Sequence, residues 1–292
     1  MPRVSEPVMR RVLLESLGVS VQDFRCRAHV EPLGPEEPNA THGIVLVRQG
    51  VFERSLRGET LVADANHALF FNAGEPYRYS HPISGGDDCT VIALDTRRAQ
   101  EVVAHHAPRD AERPERPFPL GHGLGSPRAA RLHYELLGLL VRRDAPPLAL
   151  EDLVAELADE VVGAAYRIRG AGTGRGRAST LARRRWRDLV EAAKVAINER
   201  YESPPSLGEL ARSLGCSPFH LSRTFHRTVG VSLRRYVGRL RTRLAAVRLA
   251  AGARDLTALA LDLGYADHSH FTNAFRQEWG LPPSRFRDLH RA

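Results

Sequence analysis

SLGELARSLGCSPFHLSRTFHRTVG, residues 206–230, decides the fold, because its landmarks return in LTALALDLGYADHSHFTNAFRQEWG, residues 256–280. Ala211 answers to Ala260 and Gly215 to Gly264 at a spacing of 49. After one inserted residue, Leu221 answers to Phe271, Phe225 to Phe275 and Gly230 to Gly280 at a spacing of 50. Each copy reads as a short helix, a tight turn at the glycine and a second helix, which is the helix-turn-helix pattern. The alanine is small where the second helix crosses close over the first, and the glycine supplies a turn conformation that other residues avoid. Two such units in one polypeptide imply two DNA-reading helices on one face.

The charge distribution points the same way. The chain has 292 residues, enough for two domains of ordinary size, and a formal net charge of +8. From residue 171 onward there are 22 Arg and Lys against 10 Asp and Glu, leaving 20 against 24 before it. A basic third joined to a mildly acidic remainder is the electrostatic footprint of nucleic-acid binding, since phosphate contacts supply most non-specific affinity. Only Lys194 is lysine, so base composition favouring arginine explains the choice of cation, but not the asymmetry. No run of 18 or more apolar residues exists and MPRVSEPVMRR lacks a secretory apolar core, so a cytoplasmic protein with no membrane partner is expected. Cys26, Cys89 and Cys216 are too few and too scattered for a disulfide framework or a CxxC zinc site.

Taken in order, residues 1–20 carry Val8, Val12, Leu13 and Leu17, a short set read as a surface helix or a poorly ordered arm. From Val21 to about Asp95 short apolar runs alternate with turn residues, as in GIVLVRQG, VFERSL and HALFFNAGEPYRYSHP. No helical segment lies between them, which predicts an antiparallel barrel or sandwich. Residues 106–125 are rich in Pro, Arg and Gly and read as a loop. Ser126 followed by Pro127 marks a helix start, and Leu132, Leu136, Leu139 and Leu140 give that helix an apolar stripe to about Arg143. A second helix is expected from about Leu150, with Glu151 and Asp152 in its first turn. At least one of these two is a candidate dimer interface. GAGTGRGRAST, residues 170–180, reads as a flexible linker. Beyond it Trp186, Leu189, Ala193 and Ile197 define a helix, and Ser232 caps a long one whose Leu233, Tyr236, Leu240, Leu244 and Val247 face inward.

In the second helix of each repeat, the helical period turns Leu221, Phe225, Phe271 and Phe275 inward. That leaves Phe219, His220, Ser222, Arg223, His226 and Arg227 outward or flanking in the first. In the second it leaves Asp267, His268, Ser269, His270, Thr272, Asn273 and Arg276 exposed. Arg223 can bond guanine bidentately, Asn273 adenine, and Phe219 can meet a thymine methyl.

The pattern LxELAxxLGCSPFHLSRTFHRTVGVSLRRYV, then RLRTRLAA, then LALDLGYADHSHFTNAFRQEWGLPPSRFR resembles the DNA-binding domain of the AraC/XylS family of transcription regulators, over about 105 residues. The resemblance implies two helix-turn-helix units bridged by a long helix, with recognition helices entering major-groove segments ~34 Å apart. It places base-reading positions on Phe219, Ser222 and Arg223, and on His268, Ser269, His270, Thr272 and Asn273; family members often carry arginine where this chain has Asn273. It also implies RNA polymerase as a partner, and puts Cys216 in the core, where a buried aliphatic residue is usual.

The N-terminal region resembles, more weakly, the family's cupin-like ligand domain, but lacks the HxH and downstream Glu of cupin metalloenzymes. No catalysis and no cofactor are therefore expected. The barrel interior is the expected site of an unknown small-molecule effector, with Tyr77, Tyr79 and His81 alternating on one strand face. A second idea brings Cys26, His81 and Cys89 together as a thiol or soft-metal sensor. The expected fold class is α+β multidomain. It comprises a cupin-like antiparallel β-barrel at 1–125, a helical pair at 126–169, a linker at 170–180, and an all-α double helix-turn-helix domain at 181–292. The expected function is a sequence-specific DNA-binding regulator, an effector-responsive activator, with a cupin-type enzyme fused to a DNA-binding domain as the rival.

Overall fold

Met9–Ser16 (β1) is a strand, not a helix or a loose arm. It turns at Leu17 and Gly18 and pairs antiparallel with Val19–Cys26 (β2), with a bulge between Val12 and Leu14. The bulge shifts the two-residue alternation by one position, which is why the apolar spacing imitates a helix. The computed structural model describes residues 8–27, 32–171 and 180–290, and its chain divides into two compact units, with the boundary in sequence between Ala165 and Tyr166.

The N-terminal unit continues through β3 (Glu37–Pro38), β4 (His42–Gly50), β5 (Phe52–Leu56), β6 (Glu59–Ala63), β7 (His67–Phe71), β8 (Pro76–Ser80), β9 (Asp87–Leu94) and β10 (His122–Leu124). These strands make two antiparallel sheets, of six strands in the order β1-β2-β9-β4-β7-β10 and of four in the order β3-β8-β5-β6. Val47, Leu69, Phe71 and Cys89 from the larger sheet and Phe52, Leu61 and Ala63 from the smaller share one apolar core. The region read as loop up to residue 125 thus supplies an edge strand, β10, which pairs with β7.

Three helices accompany the sheets. Thr96–Ala104 (α1), absent from the sequence reading, is capped by Asp95, whose carboxylate accepts from Arg98 N. Ser126 caps Pro127–Arg142 (α2) as expected, and His133 on its buried face reaches Thr90 of β9 at 2.8 Å. Pro147–Ala171 (α3) begins three residues before the expected start, so Glu151 and Asp152 lie beyond its first turn. Glu151 instead bonds Ser16 and Arg98. Gly170 and Ala171, assigned to the linker by sequence, complete α3, and Thr180, assigned to it as well, opens the next helix; residues 172–179 of that stretch lie outside the described residues.

The C-terminal unit contains α4 (Thr180–Glu199), α5 (Leu207–Ser213), α6 (Pro218–Val229), α7 (Leu233–Ala250), α8 (Leu256–Asp262), α9 (His268–Trp279) and α10 (Pro283–His290). Helices α5 and α6 form one helix-turn-helix, α8 and α9 the other, and α7 bridges them. Tyr236 and Leu240 of α7 are buried as expected, whereas Leu233, Leu244 and Val247 are half-buried. Arg243, Ala245 and Ala246 take the inner face instead, the two alanines because small residues let neighbouring helices approach there. Arg239 and Arg243 then hold α7 to Glu278 of α9 at 3.5 and 3.8 Å. Lys194, the lone lysine, is buried and paired with Glu191 at 2.6 Å, so it adds nothing to the basic surface.

Candidate functional site

The duplication extends to backbone detail. Ser217 Oγ accepts from His220 N at 3.2 Å to start α6, and Asp267, fifty residues on, accepts from His270 N at 2.7 Å to start α9. Both helices end on a left-handed glycine, Gly230 and Gly280. In the turns, Cys216 N donates to Ala211 O at 2.9 Å and Tyr265 N to Ala260 O at 3.0 Å. Cys216 is half-buried, not a full core residue, while Tyr265 fills the equivalent place more completely.

These caps and turns fix which side chains face solvent. Leu221, Phe225, Phe271 and Phe275 are fully buried, each worth roughly 1.5–3 kcal/mol. Phe219, His220, Arg223 and Arg227 are exposed on α6, and His268, Ser269, His270, Asn273 and Arg276 on α9; Ser222 and Thr272 are half-buried at the margin. Phe219 is 73% exposed, an unusual position for a large apolar ring. It borders a cleft of about 220 Å³ lined also by Trp186, His220, Arg223, Thr224 and Arg227. The Arg227 guanidinium lies 4.8 Å over the Trp186 ring, which holds one cation of this surface in place. On α9 the His270 ring meets Tyr265 edge-on at 5.3 Å, and His268 Nε2 sits 3.5 Å from Thr272 Oγ1. Asp267, counted among exposed candidates by sequence, serves as the cap.

Residues 210–288 match a family model described as a helix-turn-helix domain. Regulatory protein SoxS of Salmonella typhimurium is 33% identical over 99 residues, which take in 34% of this chain and 92% of that protein. The chain belongs to the AraC family of transcriptional regulators. Like other members of the AraC family it is a DNA-binding transcription regulator. Another AraC-type relative, the bifunctional transcriptional activator/DNA repair enzyme AdaA of Bacillus subtilis, is 28% identical over 104 residues, 36% of this chain and 48% of that protein. A solved structure of ToxT from Vibrio cholerae is 10% identical and covers 94% of this chain and all of that one, at a TM-score of 0.36, a likeness too loose to carry more.

In the N-terminal unit of this AraC-family chain Cys26, His81 and Cys89 are buried, whereas Tyr77 and Tyr79 are half-buried. Tyr77, Tyr79 and His81 form a row of rings with centroids 6.4 and 6.1 Å apart, and Phe71 meets Tyr77 edge-on at 5.1 Å. Burial pushes the Tyr77 hydroxyl pKa up. Strand β2 does pair with β9, with Phe24 opposite Cys89 and Cys26 opposite Asp87. Cys89 Sγ donates to Asp87 Oδ2 at 3.0 Å, and His81 Nε2 meets Asp87 Oδ1 at 2.9 Å. Burial, with the Asp87 charge beside it, pushes the Cys89 thiol well up, which keeps it a donor.

Two residues here escaped sequence reasoning. Asp87, absent from the sequence candidates, sits between His81 and Cys89 and bonds both. Arg54 is buried on β5, donating to Phe70 O at 3.1 Å and Gly121 O at 2.7 Å, with its guanidinium 4.9 Å over the Phe71 ring. Burial pushes its pKa down to about 10. Its position between Phe52 and Leu56, which are also inward, was the available signal: strand alternation places Arg54 on the core face. Among the described residues no helix is long and apolar enough to cross a membrane.

Proposed function

We propose that this regulator reads a specific operator with α6 and α9 and that its N-terminal unit responds to a small-molecule effector to activate transcription. One observation carries the reading: two helices with equivalent caps and buried faces, each presenting an outward row of hydrogen-bonding side chains beside a basic surface. In this assignment Phe219, His220, Ser222, Arg223 and Arg227 meet double-stranded DNA from the first unit. His268, Ser269, His270, Thr272, Asn273 and Arg276 meet it from the second. Arg223 is the guanine reader and Asn273 the adenine reader. Arg227, held over Trp186, contacts phosphate. The β interior around Tyr77, Tyr79 and His81 holds the effector, α2 and α3 pair the chain into a homodimer, and RNA polymerase is recruited in the cytoplasm. No catalytic step belongs to this reading.

Arg223→Ala should weaken the selected operator by about 1–3 kcal/mol, roughly 5- to 150-fold, and relax base preference at one position, with little change on random DNA. Arg227→Ala should weaken both DNAs alike and lower the salt slope by about one. Binding titrations on the two DNAs at several salt concentrations check this; equal losses from Arg223→Ala on operator and random sequence would refute the guanine assignment. The domain organisation, with residues 181–292 as a separable DNA-binding part, makes a second expectation. That fragment should fold and shift operator DNA alone, and an aggregated fragment would move the boundary.

A further inference from the structure

We propose that Cys26, His81 and Asp87 form a binding site for one divalent transition-metal ion, with zinc the best match. Each offers a ligand atom, a sulfur, a ring nitrogen and a carboxylate oxygen, and the three lie within 4.8 Å of one another. Tetrahedral zinc bonds of about 2.0–2.3 Å to these atom types put ligand atoms about 3.3–3.7 Å apart, a span that small side-chain rotations reach from within that limit. The residues are 6%, 2% and 4% exposed, so this is an interior cluster and not a scatter of surface acids. Sulfur and imidazole nitrogen disfavour calcium and magnesium, which take oxygen ligands. A thiolate and a carboxylate balance a divalent charge, and a neutral imidazole adds none, so the filled site buries no net charge. Three protein donors leave a fourth tetrahedral position for a small exogenous donor.

Two further observations separate this cluster from an ordinary packed histidine and cysteine. His81 Nδ1 has no hydrogen-bond partner although the ring is buried, and buried polar atoms are rarely left so. The frame is also fixed in advance. Cys26 and Asp87 face each other across the β2–β9 ladder, and Arg27 ties the end of β2 down by donating to Cys26 O at 3.0 Å and Asp88 Oδ1 at 2.5 Å. His81 and Asp87 are joined only by residues 82–86, and that loop rests on Gly50: φ there is +81°, and a Cβ would lie 2.0 Å from Gly86 O. Cys89 orients the Asp87 carboxylate through its second oxygen, as outer-shell partners of metal sites do.

This inference goes beyond the DNA-reading assignment and is independent of it, so it is tested without DNA. The full-length chain, stripped by a chelator, is titrated with Co²⁺. The expected result is one equivalent bound, a thiolate-to-cobalt charge-transfer band in the near ultraviolet, tetrahedral visible bands, and displacement of cobalt by Zn²⁺. Cys26→Ser should abolish the charge-transfer band. Cys89→Ser should keep it while weakening affinity about ten-fold or more. Asp87→Asn should weaken binding too and serves as the ligand variant if Cys26→Ser does not fold, judged by far-ultraviolet circular dichroism. Absence of the band in the wild-type chain would overturn the proposal without reference to any variant. So would cobalt uptake unchanged by Cys26→Ser and Asp87→Asn, which would place the ion on surface histidines. Stoichiometric uptake of Cu⁺ in preference to Zn²⁺, abolished by Cys89→Ser, would replace the zinc assignment with a two-thiol site.

Discussion

Gly264→Ala should lower the stability of the C-terminal unit by about 3 kcal/mol or more, whereas Gly215→Ala, at the equivalent point of the first repeat, should cost only about 1 kcal/mol. Both glycines are left-handed, with φ of +74° and +65°, and that alone costs an L-residue roughly 1–2 kcal/mol. They differ in surroundings. A Cβ on Gly215 meets nothing within 4 Å, but one on Gly264 would lie 1.9 Å from Glu202 O, a backbone atom that cannot swing aside. Arg241 stiffens that approach by donating to Tyr201 O at 3.0 Å and Glu202 O at 3.3 Å. Relieving such a clash adds a further ~1–3 kcal/mol. The chain's two tryptophans, Trp186 and Trp279, both lie in this unit, so tryptophan fluorescence follows its urea unfolding selectively. The expected Gly264→Ala midpoint falls by about 1–3 M urea. Equal midpoints for the two variants would mean that the turn, not the close approach, sets the requirement.

Arg54→Ala should destabilise the N-terminal unit by about 3 kcal/mol. The guanidinium supplies two charge-assisted hydrogen bonds to Phe70 O and Gly121 O, each worth about 1.5–3 kcal/mol, against which stands the cost of burying the cation. Arg54→Lys should recover little of the loss, since one ammonium does not present the guanidinium's fork to two carbonyls. The readout is a far-ultraviolet circular dichroism transition that moves to lower urea while the tryptophan transition stays in place. A lysine variant as stable as wild type would show that the charge, not the fork, is what the interior requires.

The C-terminal unit was largely legible because its signals are local. Caps at Ser217 and Asp267, a glycine at each turn and aromatic residues at helical spacing all act within one repeat, so sequence order and spatial order coincide. Where that reading slipped, packing between helices decided. Arg243 faces inward because Glu278 waits there, and no periodicity in α7 announces a partner on α9. The N-terminal unit was legible as antiparallel strands but not in its termini. A bulge disguised β1 as a helix, and β10 was hidden in proline-rich sequence because its partner β7 lies some fifty residues away. The interior cluster was half visible: residue type alone marks Cys26, His81 and Cys89 as soft ligands, yet Asp87 carries no sequence mark that distinguishes a carboxylate beside His81 from a turn residue.

The matching caps and turns of the two repeats have a consequence for how such a regulator changes over generations. Because each unit secures its own scaffold, through Ser217 and Gly230 in one and Asp267 and Gly280 in the other, the outward positions of one helix can be exchanged without disturbing those of its sibling. An operator can then drift one half at a time, the unaltered half holding the protein in register while the other acquires a new preference.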